Sequence, residues 1–475
     1  QLARFFASSL IRSARTGFAL FATVTRLDGA FGFKKGALKN PVSGGLAGLA
    51  KTAAIEWEGV SCKALDLDPD WTNVKKMAQK ITAEILDTRS HESVEVGFDN
   101  ENRYTLELTP VPYHTDAAVK LAFEPGDVVL VTGGARGVTA AATMALAQQV
   151  PLAFVLLGRS PMPTPEPVWL NGLEKEPEIK KAILANEFNN NGASPKDIEM
   201  SYRQHMGSRE VATTLQKIAT TGSTVRYETA DIRDADMVAP LLQNVRKTLG
   251  PIRAVIHGAG VIQDRLIQDK TLKQFNRVYE TKVGGFRILM DAVSSDPLKY
   301  IVVFSSVAAR FGNKGQVDYA MANEALNKIC RREARQRKDC RVIAVNWGPW
   351  DGGMVTAGLK KEFEKNRIEL IPMEAGARCM LHEMSQADTH PIEILVGSSL
   401  PAQAAAQTKV MDNPVRQAPS PLMSLTFKRE IATINHPILG AHILDGKPVV
   451  PFALITEWFG HGALHGNPGL VLHGI

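Results

Sequence analysis

Three polar residues in the second half of the chain have the types and spacing needed for proton transfer. Ser306 follows the apolar run Tyr300–Phe304, and Tyr319 comes thirteen residues after Ser306. Tyr319 and Asn323 are four residues apart, which places both on one face of a helix. A tyrosine can donate a proton to a nascent alkoxide if a nearby cation lowers its pKa. Lys282 is the candidate cation, because Asn323 holds the position one helical turn after the tyrosine.

A glycine-rich turn lies upstream of these residues. The apolar run Val128–Val131 is typical of a buried parallel strand, and the glycines follow it directly. Glycines let the backbone approach a pyrophosphate, and the N–H groups at the start of the next helix face the anion. On its own, such a turn is also compatible with an ordinary strand-to-helix connection. We predict that it binds a dinucleotide through Thr132, Gly133, Gly134, Ala135, Arg136, Gly137 and Val138.

Four other predicted strand ends carry residues suited to a cofactor. The second strand ends at Gly158–Ser160, where Arg159 replaces an acidic residue and favours a ribose 2′-phosphate, hence NADPH over NADH. Arg136 is expected to add to this preference. Asp231 is placed for the adenine amino group, and Gly258–Gly260 lets the chain pass close to the ligand. The predicted set is Gly158, Arg159, Ser160, Asp231, Ile232, His257, Gly258, Ala259, Gly260 and Pro349, together with Lys282 and Tyr319.

The pattern of elements predicts an α/β protein. Residues 122–397 alternate strand and helix, which favours a doubly wound parallel sheet with ligands at the carboxyl ends of the strands. Residues 1–115 also alternate but lack such a glycine turn, and we interpret them as a structural unit. Lys51 and Glu56 in that unit are expected to lie on a solvated helix face.

Composition indicates the further organisation of the chain. We place the catalytic unit at 116–399 with an insertion at 161–209, because nearly fifty residues is long for a connection. Residues 400–430 are rich in Ala, Gln, Pro and Ser and are interpreted as a linker. We place the start of a further unit at 431–475.

Several classes of protein are disfavoured by composition. The 475 residues are 44% apolar and 22% charged, unlike a disordered chain, and no apolar run reaches the roughly 18 residues of a membrane span. Gln1 is not a start methionine, so we expect a fragment of a longer protein. Four scattered cysteines favour reduced thiols in the cytoplasm. The net charge of +6 is mild, and we predict no nucleic-acid partner, membrane or metal.

The motifs together resemble those of the short-chain dehydrogenase/reductases. The lysine usually found four residues after the tyrosine is replaced by Asn323, and Lys282 lies on the preceding helix instead. This exchange resembles the arrangement in the ketoreductase domains of modular and iterative polyketide synthases. Phe304–Ser306, Gly315–Ala320 and Asn346–Trp350 match the same subgroup. The glycine turn and the long insertion resemble the ketoreductase of bacterial polyunsaturated fatty acid synthases. One departure is Thr139, which replaces the last glycine of the family's turn and is expected to be tolerated.

The resemblance implies a function. It is NADPH-dependent reduction of a 3-ketoacyl thioester, carried on the phosphopantetheine arm of an acyl carrier protein domain, beside other domains of one megasynthase. Ser306 and Tyr319 would bind the ketone oxygen, Lys282 would hold the ribose and lower the tyrosine pKa, and Asn323 would support a water or backbone relay. Residues 1–115 are similar to the family's catalytically silent Rossmann-like subdomain, with its earliest strands cut off.

Two further sets of residues carry implications from the same family. Asp264 matches the last residue of the Leu-Asp-Asp motif found in family members that form (3R) alcohols. Phe311 occupies the position where members that form the (3S) alcohol usually carry tryptophan. The resemblance therefore implies the (3R) product. Capping of its own loop is the alternative role for Asp264. His442, Gly446 and Pro451 resemble the first motif of a double-hotdog dehydratase, in which the histidine is the base. The second hotdog's aspartate is missing, so His442 is not expected to work alone.

Two other functions stay open at this point. The first is a non-catalytic reductase fold that scaffolds neighbouring domains, for which loss of Ser306, Tyr319 or Lys282 would be the mark; all three are present. The second is a free-standing short-chain alcohol dehydrogenase, which the silent subdomain and the trailing dehydratase-like motif disfavour. Titration with NADPH would separate a binding enzyme from a scaffold.

Overall fold

The computed structural model describes most of the chain. The described residues are 1–86, 93–111, 119–189, 192–353, 355, 357–365, 368–386, 390–397, 438–441, 443–444, 447–448 and 450. The chain divides into two compact units, residues 1–408 and 409–475. The predicted linker at 400–430 and the motif residues His442, Gly446 and Pro451 lie outside the described residues. In the second unit the described elements are helix α14 (Ile438–Ala441) and the antiparallel strands β12 (Ile443–Leu444) and β13 (Lys447–Pro448).

A four-stranded sheet forms the N-terminal part of the first unit. Strands β1, β2 and β3 are parallel, and β4 runs antiparallel to β3. Leu65, Val96 and Trp71 form a small core on which α3 packs. The elements are α1 (Leu2–Thr16), β1 (Leu20–Thr25), α2 (Gly45–Glu56), β2 (Ser61–Leu67), α3 (Val74–Leu86), β3 (Glu95–Phe98) and β4 (Arg103–Thr105).

A seven-stranded parallel sheet forms the rest of this unit, in the order β11-β10-β9-β8-β5-β6-β7. The direction of strand order reverses between β5 and β8, which is where ligands bind in open α/β sheets. The predicted doubly wound parallel sheet is therefore confirmed. The strands are β5 (Val128–Thr132), β6 (Ala153–Gly158), β7 (Thr224–Thr229), β8 (Ile252–His257), β9 (Tyr300–Ser306), β10 (Arg341–Trp347) and β11 (Glu393–Val396).

Helices cover both faces of this sheet. Val129 and Val131 of β5 pack on one face, whereas Val128 and Leu130 pack on the other, so the strand is apolar throughout. The helices are α4 (Gly137–Ala147), α5 (Glu176–Glu187), α6 (Pro195–Ala219), α7 (Ala235–Leu249), α8 (Leu272–Tyr279), a π-helical turn (Glu280–Gly284), α9 (Gly285–Ala292), α10 (Val307–Phe311), α11 (Val317–Gln336), α12 (Ala357–Lys365) and α13 (Met373–Ser385). None of the helices in the described ranges has the length and hydropathy of a membrane span.

The predicted insertion is helical and has a small core of its own. Leu170, Ile179 and Ile183 are fully buried among residues of α5 and α6. Ser194 caps α6 through a reciprocal bond pair with Asp197, which explains where this helix begins. Helix α6 then continues through residue 209 to Ala219, so no break in the helix marks the predicted end of the insertion.

The two sheets are joined by helix-to-helix packing and by buried charges. A Cβ atom on Gly48 of α2 would lie 2.7 Å from the carbonyl oxygen of Ala320, so α2 packs backbone to backbone against α11. Lys51 is 4% exposed and forms ion pairs with Glu95 and Glu324 at 2.9 and 3.6 Å. The expectation that Lys51 lies on a solvated face is therefore wrong, because α2 is covered by α11.

Candidate active site

The predicted proton-transfer residues meet at the carboxyl end of β9. Tyr319 lies near the start of α11, and the Nζ atom of Lys282 lies 5.2 Å from the centre of its ring. Lys282 projects from the π-helical turn and donates a hydrogen bond of 2.9 Å to the carbonyl of Phe304. Ser306 ends β9 and caps α10 by accepting a 3.2 Å bond from the Ala308 amide. Ser306, Tyr319 and Lys282 line one cleft of about 1540 Å³.

Asn323 supports this arrangement from behind. Its side chain is fully buried and donates a 2.9 Å bond to the Tyr319 carbonyl, one turn earlier in α11. Among the residues that the structure describes, its Oδ1 atom has no hydrogen-bond partner. A buried acceptor without a partner is costly, and a donor bound at this atom would remove the cost.

The pKa values at this site differ from the sequence-based expectation. Burial lowers the pKa of Lys282 to about 7. Burial also raises the pKa of Tyr319, with a further contribution from the charge of Asp264, while hydrogen bonds to Asn323 and Ser306 partly offset the shift. The predicted lowering of the tyrosine pKa is therefore wrong for this structure, in which burial outweighs the neighbouring groups. Tyr319 keeps its proton at neutral pH, as a proton donor must.

His257 positions the backbone that carries Lys282. Its Nε2 atom lies 3.0 Å from the carbonyl oxygen of Lys282, and its Nδ1 atom lies 2.9 Å from Thr132 Oγ1. A carbonyl only accepts, so Nε2 carries the proton and Nδ1 accepts from the Thr132 hydroxyl. That hydroxyl accepts in turn from the Ala259 amide at 3.2 Å. Burial lowers the pKa of His257 to about 3, which keeps the ring neutral.

Most of the predicted cofactor residues line the same cleft. The exceptions are Thr132, Gly134 and His257, which are buried behind its wall. Thr132 and His257 lie behind the wall because they form the hydrogen-bond chain that ends at the Lys282 carbonyl. A Cβ atom on Gly134 would lie 2.9 Å from Val131 Cβ, so this glycine permits close packing under the turn.

The glycine turn has the shape of a phosphate cradle. Gly133 and Gly137 have φ angles of +71° and +59°, which L side chains rarely adopt. A Cβ atom on Gly133 would lie 3.2 Å from the backbone of Gly258 and Ala259, so the two cofactor loops are in contact. The backbone space that these glycines leave fits a dinucleotide pyrophosphate.

Thr139 is tolerated because Gly258 has no side chain. A Cβ atom at position 258 would lie 2.5 Å from Thr139 Cγ2 and closer still to its Oγ1. The threonine therefore fills the volume that the facing glycine leaves open. This pair explains how the turn keeps its shape although the third glycine is absent.

The far end of the cleft carries the predicted arginines. Arg136, Arg159 and Ser160 line it together with Tyr227, whose hydroxyl donates a 2.8 Å bond to the Ser160 carbonyl. Sequence reasoning missed Tyr227, which reaches this loop only because Gly158 leaves room for its ring. A second residue that it missed is Glu210 of α6, which binds Arg136 through Nε at 3.0 Å.

Asp231 has a partner within its own loop. Its carboxylate forms a 2.6 Å ion pair with Arg233 Nη2, and this interaction is the main reason why the pKa of Asp231 falls to about 2. The contact with an adenine amino group remains a prediction. Ile232 lines the cleft beside it.

The opposite end of the cleft holds the residues predicted to control the substrate. Asp264 accepts bonds of 3.1 and 3.3 Å from Gln316 Nε2, and the Arg265 amide donates a 2.9 Å bond to the Gly315 carbonyl. The loop that carries Asp264 is thus fastened to the residues just before Tyr319. Phe311 also lines the cleft.

Glu56 reaches this end from the last turn of α2. Its two carboxylate oxygens each accept a 2.7 Å bond, one from the Ile267 amide and one from the Gly315 amide. Burial raises its pKa, and these two bonds partly offset the shift. The expectation that Glu56 lies on a solvated face is therefore wrong, because its carboxylate binds the backbone of two loops at the substrate end of the cleft.

Comparison with known proteins gives the family. Residues 127–352 match the family described as "KR domain". This segment is a KR domain. The chain is 32% identical over 497 aligned residues to a polyunsaturated fatty acid synthase polypeptide of Thraustochytrium sp. (strain ATCC 26185 / S-3), an alignment that covers 100% of this chain and 17% of that protein. It is 27% identical over 310 residues to "Polyketide synthase PksL" of Bacillus subtilis (strain 168), covering 64% of this chain and 6% of that protein.

Solved structures show the same fold as the KR domain and its neighbouring sheet. "Crystal structure of a ketoreductase domain from the bacillaene assembly line" has a TM-score of 0.63 at 20% identity and covers 86% of this chain and 84% of that chain. "Structure of A1-type ketoreductase" has a TM-score of 0.64 at 22% identity, covering 86% and 73%. The resemblance to polyketide and polyunsaturated fatty acid synthase ketoreductases is thereby confirmed. The start of a dehydratase-like domain stays a prediction.

Proposed function

We propose that this chain is the NADPH-dependent 3-ketoacyl reductase of a polyunsaturated fatty acid or polyketide synthase. It would reduce the β-keto group of a carrier-bound thioester to a 3-hydroxyacyl thioester. The observation that carries the proposal is the meeting of Ser306, Tyr319 and Lys282 in one cleft whose other end is the glycine cradle. A scaffold would have no need for this arrangement.

Different parts of the cleft would bind different parts of the cofactor. Gly133 and Val138 would hold the pyrophosphate beside Gly137, whose amide is bonded to Glu210, and Arg136 and Arg159 would bind the ribose 2′-phosphate that distinguishes NADPH from NADH. The cofactor supplies a hydride when it is bound. Lys282 would hold the nicotinamide ribose, since it lies beside Tyr319 and beneath Gly260, where a Cβ atom would lie 3.1 Å from Lys282 Cε.

The proton step is assigned to Tyr319. Ser306 and Tyr319 bind the ketone oxygen through their hydroxyls, which fixes the carbonyl in the cleft. Tyr319 then releases its proton to the oxygen as negative charge develops there, and Ser306 keeps its own hydrogen bond to it. The protonated form of Lys282 would stabilise the tyrosinate that results, and a water on Asn323 Oδ1 would return the proton.

The remaining proposals concern the surroundings of the reaction. The substrate arm would be the phosphopantetheine of an acyl carrier protein domain within the same cytoplasmic megasynthase, and four buried free cysteines are compatible with a reducing compartment. The (3R) alcohol is the proposed product, because Asp264 and Phe311, the two residues that match the family's stereochemical markers, both line the cleft. Such an alcohol suits a following dehydratase, the activity proposed for the domain that begins at 431–475.

An assay with a 3-ketoacyl thioester tests the proposal. The chain is incubated with the thioester and NADPH, oxidation of NADPH is followed by absorbance, and the product is resolved by chiral chromatography. We expect NADPH oxidation coupled to one 3-hydroxyacyl thioester. Binding of NADPH without turnover of any ketoacyl thioester, or no binding at all, would support the scaffolding alternative instead.

A further inference from the structure

The long helix of the insertion runs beside the glycine turn. Helix α6 is 25 residues long, and its part near residue 210 reaches the cleft, where Glu210 and Val211 belong to the lining. Gly207 and Glu210 are three residues apart on this helix and therefore share a face. Both contact Arg136, and together we call them the arginine seat.

Gly207 makes room for the guanidinium group. A Cβ atom at this position would lie 2.7 Å from Arg136 Nη1, 3.1 Å from Cζ and 3.5 Å from Nη2, so the guanidinium lies against the helix backbone. Gly207 is the one glycine of α6, and glycine is unfavourable inside a helix. Its place opposite the arginine indicates a packing role rather than a need for an unusual backbone angle.

Glu210 fixes the orientation of the same group. Its Oε2 atom accepts a 3.0 Å bond from Arg136 Nε, and its Oε1 atom accepts a 2.7 Å bond from the Gly137 amide. The carboxylate therefore ties the arginine to the start of α4. Within the described part of the chain, Glu210 is the one hydrogen-bond partner of the Arg136 side chain, so Nη1 and Nη2 are available to a ligand.

The available edge of Arg136 belongs to the arginine end of the cleft. Arg136 is near enough to Tyr227 for its charge to lower the pKa of that hydroxyl, against a larger rise from burial. The Tyr227 hydroxyl binds the carbonyl of Ser160, next to Arg159. Two arginines from different loops thus line the same cleft, and a dianionic phosphate is a ligand that such side chains bind.

We propose that Gly207 and Glu210 are positioning residues for cofactor specificity, holding Arg136 so that its Nη atoms bind the ribose 2′-phosphate. The inference rests on the proposed NADPH dependence and extends it, because it gives the helix of the insertion a function in the reaction. The competing role for Glu210 is repulsion, in which a carboxylate beside the cradle weakens phosphate binding. The positioning role predicts weaker NADPH binding when Glu210 is removed, whereas the repulsive role predicts tighter binding.

Calorimetric binding of NADPH, NADH and 2′,5′-ADP to the full chain tests the arginine seat without turnover. The variants are Gly207→Ala, which adds the obstructing methyl, and Glu210→Ala, which removes the carboxylate. The control is Glu199→Gln, which removes a charge from the same helix, where Glu199 pairs with Lys180 and Arg203. Melting curves show whether each variant folds; Gly207→Ala should melt no lower than the unmodified chain, since alanine favours helix.

Both seat variants should weaken NADPH and 2′,5′-ADP binding by roughly five- to twentyfold, less than the tenfold to hundredfold of a whole charge-assisted bond, because Arg136 is displaced and not removed. Binding of NADH should stay within about twofold, as should all binding by the control. Unchanged NADPH binding in both folded variants, or tighter binding in Glu210→Ala, would overturn the inference while leaving the proposed function intact. An unmodified chain that binds NADPH and NADH equally would instead refute the proposed cofactor choice, and this inference with it.

Discussion

Replacement of Lys282 by methionine should raise the free energy of unfolding in a pH-dependent way. The lysine side chain is 2% exposed, and burial lowers its pKa from 10.5 to about 7. Methionine has a similar length and no charge, so it removes the cost of burying an ammonium group. The substitution also leaves the Phe304 carbonyl without its 2.9 Å donor, but that cost does not vary with pH.

The sign of the pH dependence follows from proton binding. Between about pH 7 and 10.5 the unfolded chain holds a proton on Lys282 that the folded chain has lost, so stability of the unmodified chain rises with pH in this window. Below pH 7 both states are protonated and the full penalty is present. The pKa difference corresponds to about 5 kcal/mol at most, and relaxation and water entry reduce the expected effect to about 2–4 kcal/mol.

Urea unfolding at several pH values from 6 to 10, without cofactor, measures this effect. The stability difference, methionine variant minus unmodified chain, should be largest at pH 6 and should shrink by about 2–4 kcal/mol as the pH approaches 10. Lys273→Met is the matched control, since Lys273 is an exposed lysine on the neighbouring α8. A difference for Lys282→Met that is the same at every pH would refute the assignment of a burial-lowered pKa.

Three further predictions concern the cofactor and substrate ends. Gly258→Ala should lower the melting temperature and weaken NADPH binding because its methyl would meet Thr139, and Thr139→Gly should largely restore both; failure of the second change to rescue the first would contradict the proposed fit. Arg159→Ala should lower the preference for NADPH over NADH by about tenfold to a hundredfold in kcat/KM, and an unchanged ratio would remove this arginine from phosphate recognition. Asp264→Ala frees the Gln316 side chain and should lower the share of (3R) alcohol by chiral chromatography, whereas the same enantiomer ratio would leave Asp264 a purely structural role.

Much of the fold could be predicted because its signals are local. Apolar runs such as Val128–Val131 and Tyr300–Phe304 are strands in the structure, and the polar residues after them do meet at one edge of the sheet. The location of functional residues that directly follow a strand could thus be predicted from the sequence. The spacing of Tyr319 and Asn323 likewise placed both on α11.

Contacts between distant segments were not accessible in this way. Glu210 and Tyr227 reach the arginine end from separate elements, and no spacing in the sequence relates either to the glycine turn. Lys51 and Glu56 looked like an ordinary polar helix face, because the sequence does not show that Lys51 meets Glu324 of α11 or that Glu56 meets the amides of Ile267 and Gly315. The pKa of Tyr319 was predicted in the wrong direction because burial, which depends on the whole fold, outweighs its neighbours.

The most direct test of the proposed reaction is the Tyr319→Phe variant in two measurements on one preparation. The substitution removes only the hydroxyl, so calorimetric binding of NADPH should stay within about threefold of the unmodified chain. Single-turnover reduction of a 3-ketoacyl thioester should fall by roughly 10²-fold or more, since general acid catalysis contributes at least that much. Reduction at the normal rate by a variant that binds NADPH normally would contradict the assignment of Tyr319 as the proton donor.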